Sequence, residues 1–182
     1  MTRRPEFGRL ILEVDETLRD PEAMAAARRS MPVGQRDQSD SAKADTRRLV
    51  AAIAGVMGAS TLLLRGADFP GWLRLGAIEA VVRWVEGDGR LCAHCPTQER
   101  PGPIMAGAWM PGTVCPLCVS LLQFPPGSVE DQMCDGCGHV CAGVGAGDPI
   151  RVVFTTFGVL TFMAGVCTSC NADLPPEMSD GH

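Results

Sequence analysis

Four Cys-x-x-Cys pairs fall within 79 residues of a 182-residue chain: Cys92 and Cys95 in CAHC, Cys115 and Cys118 in CPLC, Cys134 and Cys137 in CDGC, and Cys167 and Cys170 in CTSC. Two residues between cysteines let a tight turn aim both sulfurs at one point. Two such knuckles supply four thiolates, the ligand set of a closed tetrahedral zinc site. The second half of the chain must therefore fold so that knuckles meet in pairs. Between Cys95 and Cys115 lie 19 residues, within the range of a four-cysteine zinc site. Between Cys137 and Cys167 lie 29, longer but with room for a β-hairpin. Pairing in order predicts one site from Cys92, Cys95, Cys115 and Cys118 and a second from Cys134, Cys137, Cys167 and Cys170, with two zinc ions. The alternative is a cross-braced order, first knuckle with third and second with fourth.

The compartment bears on this reading. The start, MTRRPEFGRLILEVDETLRD, turns acidic where the apolar stretch of a signal peptide would run, so a cytoplasmic location is expected. In a reducing compartment nine cysteines read as metal or redox groups rather than disulfides. Residue usage (Lys43 the only Lys, Asn171 the only Asn, no Tyr) fits a GC-rich bacterial genome, such as an actinobacterium or its phage. Net charge is −5, which argues against a nucleic-acid partner, since phosphate contact needs a basic face.

Charge and cysteine divide the chain. Residues 1–48 hold 10 basic and 9 acidic side chains; residues 91–182 hold only Arg100 and Arg151 against 8 acidic ones, together with every cysteine. The triplet Gly87-Asp88-Gly89 marks a turn between the two compositions. Five segments are expected: N-terminal helices and a polar linker over 1–48, a helical hairpin over 49–88, a first metal unit over 89–124, a second over 125–174, and a disordered tail over 175–182.

Within the first segment, Phe7, Leu10, Ile11, Val14 and Leu18 follow the i, i+3, i+4, i+7 rhythm of an amphipathic helix. Asp20 reads as the N-cap of a following short helix with Pro21 at its first position. MPVGQRDQSDSA, 31–42, reads as linker. A helix is expected over about 42–65, with Leu49, Ile53, Val56, Met57, Leu63 and Leu64 among its apolar residues, and another over about 70–86, where Glu79 and Arg83 are spaced for an ion pair. The uncharged run LVAAIAGVMGASTLLL, 49–64, carries Ala51, Gly55 and Ala59 at the small-xxx-small spacing of packed membrane helices, but its 16 residues fall short of the about 20 that cross a bilayer. A buried helix is the primary reading and membrane contact the secondary one. After residue 90, PIMAGAWM (103–110), IRVVFTTF (150–157) and VLTFMAGV (159–166) read as strands, the last two joined at Gly158.

The two-knuckle pattern resembles the zinc-ribbon class: LCAHC then VCPLC, and MCDGCG then VCTSC, over about 91–171. The resemblance is to the class, not to a particular family. It implies small β-rich units serving as interaction or nucleic-acid-binding modules. This chain departs from nucleic-acid ribbons in its acidity, which two four-thiolate zinc sites of net −2 each would deepen. CPLC and CDGCG also resemble rubredoxin knuckles, which hold iron in the same geometry. Of the remaining candidates, Cys141 reads as a buried or spare thiol, and His139 could stand in as a ligand only where one of the four cysteines does not serve. His94 lies inside its knuckle, where reaching the metal alongside Cys92 and Cys95 is difficult, and His182 is terminal.

No catalytic constellation accompanies the cysteines. The sequence holds no H-E-x-x-H, G-x-S-x-G or deaminase pattern, and Gly143 to Gly147 (GVGAG) lacks the Lys-Ser/Thr of a phosphate loop. Closed four-thiolate sites leave no position for a reacting water. The chain is thus expected to be α+β, with helices followed by two zinc-ribbon-like units, and non-enzymatic: a zinc-stapled interaction or adaptor module that docks a protein partner or a second copy. Two rivals stand beside this reading. One is a transcription-associated ribbon protein binding nucleic acid through Arg28-Arg29 or Arg47-Arg48; the other is an iron or thiol redox protein.

Overall fold

The computed structural model describes residues 5–57, 61–62 and 69–174. The fold is mixed α+β. Helices α1 (Pro5–Arg19), α2 (Pro21–Ser30) and α3 (Val33–Met57) lead to a two-residue strand β1 (Thr61–Leu62) and helix α4 (Gly71–Val85). Strand β2 (Ile104–Gly107), the hairpin strands β3 (Arg151–Phe157) and β4 (Leu160–Val166), and a short α5 (Thr168–Ala172) follow. The sheet order is β1-β3-β4-β2; β3 and β4 are antiparallel, and the outer strands run parallel to their neighbours.

The hairpin forms where β-branched and aromatic residues predicted it. Phe157 pairs with Leu160 across a two-residue turn, and Gly158 occupies it with φ +63°, a region side chains disfavour. Alternation along the strands then gives the sheet two apolar faces. Ile104, Ala106, Val153, Leu160, Phe162, Ala164 and Val166 pack against Leu73, Ala77, Ala80 and Trp84 of α4. Met105, Phe154 and Met163 pack against Val50, Leu49 and Ile53 of α3. One helix thus covers each face.

Three expectations need correction. Residues 33–41, read as linker, belong to α3. Their helix is anchored from its far half: Ala42, Thr46 and Val50, at i, i+4 and i+8, are all buried, and Thr46 Oγ1 donates to the Val159 carbonyl at 3.2 Å in the hairpin turn. Arg28 of α2 holds Asp40 with both guanidinium nitrogens. Second, among the described residues α3 and α4 do not pack as the expected hairpin but lie against different faces of the sheet. The neighbour of α4 is α1, through Ile11, Ile78 and Val82, with Phe7, Val14, Leu18 and Leu75 around them. Asp15 and Arg74 form a largely buried ion pair across that contact, and the Arg74 Nη1 also donates to the Phe69 carbonyl. Third, the two metal units are not separate ribbons. β2 from the first pairs with β4 from the second along Ile104 to Gly107, so one sheet crosses the expected boundary at 124/125.

Smaller readings hold. Asp20 caps α2, accepting from the Glu22 and Ala23 amides at 2.8 and 3.2 Å, with Pro21 next to it. Glu79 and Arg83 pair at 2.9 Å. Gly87 and Gly89 both take positive φ at the expected turn. No helix among the described residues is long and apolar enough to cross a membrane. Leu63 and Leu64 of the apolar run, the side chains of Val56 and Met57, and the expected tail with His182 lie outside what is described.

Candidate metal centres

The knuckles meet in the order the spacing predicts. Cys134, Cys137, Cys167 and Cys170 come together, with every sulfur within 4.8 Å of the others. The Cys137 and Cys167 sulfurs are 3.8 Å apart. Four Zn–S bonds of about 2.3 Å at tetrahedral angles require an S···S edge of about 3.8 Å. The donor set and spacing therefore fit a four-thiolate metal ion.

Local backbone structure explains the convergence. Cys134 N donates to the His139 carbonyl at 2.7 Å and Gly138, at φ +75°, turns the chain, so residues 133–140 close a tight knuckle. Asp135 fastens this knuckle to β4: its amide donates to Gly165 O at 2.8 Å, and its carboxylate accepts from Gly165 N at 2.6 Å. Burial raises the Asp135 pKa, which that amide hydrogen bond only partly offsets. Cys167 and Cys170 follow directly at the end of β4, with Cys167 as the N-cap of α5. Gly136 sits in a tight space: a Cβ there would lie 3.2 Å from both the Cys170 sulfur and the Trp72 ring, which would have to give by a few tenths of an ångström.

The electrostatics favour an ionised sulfur at the centre. Burial opposes ionisation of Cys134, but amide N–H groups of Cys167, Cys137 and Gly136 point at its sulfur and bring the thiol down to about 7. The Cys170 thiol is pushed up, by burial first and then by the neighbouring sulfurs. A divalent cation resolves this mutual repulsion by neutralising the cluster.

The first site departs from its expected ligand set. Cys92, Cys115 and Cys118 gather as predicted, but the fourth member is His94, not Cys95. His94 Nδ1 lies 3.5 Å from the Cys118 sulfur. A tetrahedral ion with Zn–S of about 2.3 Å and Zn–N of about 2.05 Å needs an S···N edge of about 3.6 Å. Cys95 instead turns inward. It is buried beside Thr113, with its sulfur 3.6 Å from Thr113 Oγ1, and burial raises its pKa. The reason lies in the local chain. The Trp84 indole donates to the Pro96 carbonyl at 2.7 Å, and Leu91 N donates to Thr113 O, so the segment is pinned on both sides of the knuckle with Cys95 toward the core. His94 is left on the exposed side, next to Cys118. The Cys118 thiol is pushed up to about 11, chiefly by its hydrogen bond with Cys115.

Cys141 is buried, as read, but it has company. His139, Cys141 and Asp148 form a third group of metal-capable side chains. The GVGAG segment is a loop as expected, with a single 3-10 turn at Val144–Ala146. Beside the second site, a cleft of about 430 Å³ lies between α4 and the segment after β2, lined by Trp72, Arg83, Met110, Asp135 and Phe162 among others.

The two four-residue Cys/His groups could hold metal ions, and in the second the Cys137–Cys167 separation equals the edge of a four-thiolate tetrahedron. No protein-family model, curated protein or solved structure matches the chain.

Proposed function

We propose that the chain is a non-enzymatic interaction or adaptor module whose loops are held by two structural zinc ions. The observation that carries this reading is the second cluster: four thiolates at the spacing of a closed tetrahedral ion, with no ligand position left for substrate. The first cluster, with three sulfurs and one imidazole, is also a complete tetrahedral set. Around them, the loops expose apolar side chains: Leu117 at 88%, Leu121 at 79% and Val144 at 83%. Leu117 sits inside the CPLC knuckle and Leu121 one turn beyond it, so the first metal would present both as one patch to a protein partner or a second copy. The basic pairs that a nucleic-acid reading would use are partly engaged, Arg28 with Asp40 and Arg48 with Asp45.

Elemental mass spectrometry on protein purified without added metal or a His tag tests the metal. Two firmly held zinc ions per chain are expected. Iron, or fewer than two ions, would move the reading to electron transfer or thiol chemistry. The adaptor role is tested by comparing wild type with Leu117→Asp/Leu121→Asp in pull-downs and sedimentation at low salt. Loss of a partner or of self-association in the variant supports it. A wild type that binds nothing, remains monomeric and turns over a substrate overturns it.

A further inference from the structure

We propose a third metal site, formed by His139, Cys141 and Asp148, that takes a zinc ion with one coordination position open to solvent. The three donor atoms lie within 4.8 Å of one another. Each comes from a different side-chain type, and the mixed N, S and O set suits a borderline divalent ion such as zinc. This site shares no residue with the two closed ones and does not depend on their being zinc.

The backbone builds the group deliberately. His139 and Cys141 flank Val140, the residue bridged to Met133 where the chain leaves the knuckle, and their donor atoms converge. Asp148 is nine residues from His139, and a closed loop brings it back: Gly143 N donates to Asp148 O at 2.9 Å, and Asp148 N donates to Gly143 O at 3.1 Å. Positive φ at Gly143 and Gly147 makes that closure. The Asp148 carboxylate is then fixed by the Ala142 amide at 3.0 Å and by His139 Nε2 at 2.8 Å. The Cys141 thiol is only 1% exposed and faces this pair from beneath.

Burial decides between a metal site and a nucleophilic triad. A nucleophile must meet its substrate, and the Cys141 sulfur is closed off. The side chains of His139 and Asp148 are 51% and 31% exposed, so an ion can enter from their side. The 2.8 Å His139–Asp148 contact is a hydrogen bond of the metal-free form; an ion between them would widen it to about 3.4 Å. Three protein ligands leave a fourth position for water or a donor from a partner, the arrangement of exchangeable rather than structural zinc. The site adjoins the knuckle of the second closed site through Gly138, so its occupancy would reach the loop that carries Val144.

Zinc counting on the full chain tests the proposal. Protein saturated with Zn²⁺ and desalted should hold three ions, dropping to two after brief exposure to a chelator of moderate strength. His139→Ala and, separately, Asp148→Asn should hold two from the start. The affinity of the third ion should fall by more than the about 10–100-fold that loss of an outer-shell partner costs. His139 is exposed, and Asp148→Asn keeps a side-chain oxygen for the Ala142 amide, so both variants test binding with little change to the loop. Two ions in saturated wild type, or a third that survives in both variants, overturns the site. A firmly held count below two would instead count against the closed-site reading, and it leaves the wild-type-minus-variant difference readable.

Discussion

Replacing His94 and Cys95 one at a time separates the ligand set the structure presents from the one the cysteine spacing predicts. His94 Nδ1 sits 3.5 Å from the Cys118 sulfur, while the Cys95 sulfur faces Thr113 in the interior. Structural zinc contributes about 10–16 kcal/mol of binding free energy, so one ligand of four carries about 3–4 kcal/mol, or about 10²–10³-fold in affinity. His94→Ala should weaken zinc at the first site by that factor and leave the second unchanged. Cys95→Ala should leave both zinc affinities within a few-fold. Its cost falls on the fold: one buried heavy atom, about 1 kcal/mol, and a Thr113 hydroxyl stripped of its partner, about 1–3 kcal/mol. Competition against a calibrated zinc chelator reads the first quantity, and denaturant unfolding of the zinc-loaded protein reads the second. Cobalt(II) substitution adds an independent count, because the thiolate-to-metal absorption of the two firmly held ions should correspond to seven thiolates, three at the first site and four at the second, with an eighth from Cys141 only when the third site is also loaded. If Cys95→Ala loosens zinc by two to three orders of magnitude and His94→Ala does not, the inward placement of Cys95 is wrong and the first site is a tetrathiolate.

Three further outcomes follow from the same structure. Gly112→Ala should destabilise the fold at or above the upper end of the about 1–3 kcal/mol typical of overpacking, because its Cβ would meet the Gly89 carbonyl group, 2.7 Å from its carbon; a melting temperature within about 2 °C of wild type would contradict this. Arg74→Met leaves the Asp15 carboxylate buried between α1 and α4 without its cation, an expected loss of about 3–5 kcal/mol by denaturant titration, whereas a near-neutral result would mean that Asp15 is rescued by Arg19. Zinc retention at the second site should fall as pH falls. The folded-state Cys134 thiol is depressed to about 7, so its thiolate contributes stability that is complete above the unfolded thiol range and is lost as pH drops through about 7. Protons and zinc compete for the same sulfurs, so a dye that reports free zinc should brighten on acidification from about pH 8, and release on raising the pH would reverse the assigned sign.

What could be read from the sequence depended on how local the cause was. The β3–β4 hairpin was legible because β-branched residues flank a lone glycine, and the α2 cap because Asp20-Pro21 is a two-residue signal. The order in which the knuckles pair was legible from spacing alone. The helical 33–41 segment was not, because the residues that anchor α3 are Ala42, Thr46 and Val50, two of them too small or too polar to stand out as a hydrophobic stripe. Only the sheet beneath makes that face a buried one. The choice of α1 as the partner of α4 rests on Ile11 meeting Ile78 and Val82 and on the Asp15–Arg74 pair, 59 residues apart, none of which a local pattern encodes. His94 and Cys95 are adjacent, and which of them faces the metal is set by Trp84 and Thr113, each in another part of the fold. The His139, Cys141 and Asp148 group was hidden for a similar reason, since the loop from Gly143 to Asp148 must close before Asp148 meets its partners.

The placement of the two closed sites bears on what the loops are for. Val114, just before the second knuckle of the first site, pairs with Met105 of β2. Cys167 follows the last residue of β4, and Asp135 ties the other knuckle of the second site to the same strand. Since β2 and β4 are neighbours, both clusters clamp loops onto adjacent strands of one sheet. Residues 108–150 contain no strand and only two 3-10 turns, so they cannot hold themselves by regular hydrogen bonding. Ordering such a stretch costs about 1–2 kcal/mol per residue in backbone entropy alone. A metal-free loop would have to offset this by burying its own apolar side chains. Here Leu117, Leu121 and Val144 are turned outward instead, and Val129 with them at 57% exposed. Metal coordination at the knuckles would supply the constraint that burial otherwise provides, and on the proposed reading that would leave the apolar side chains of these loops free to meet another surface.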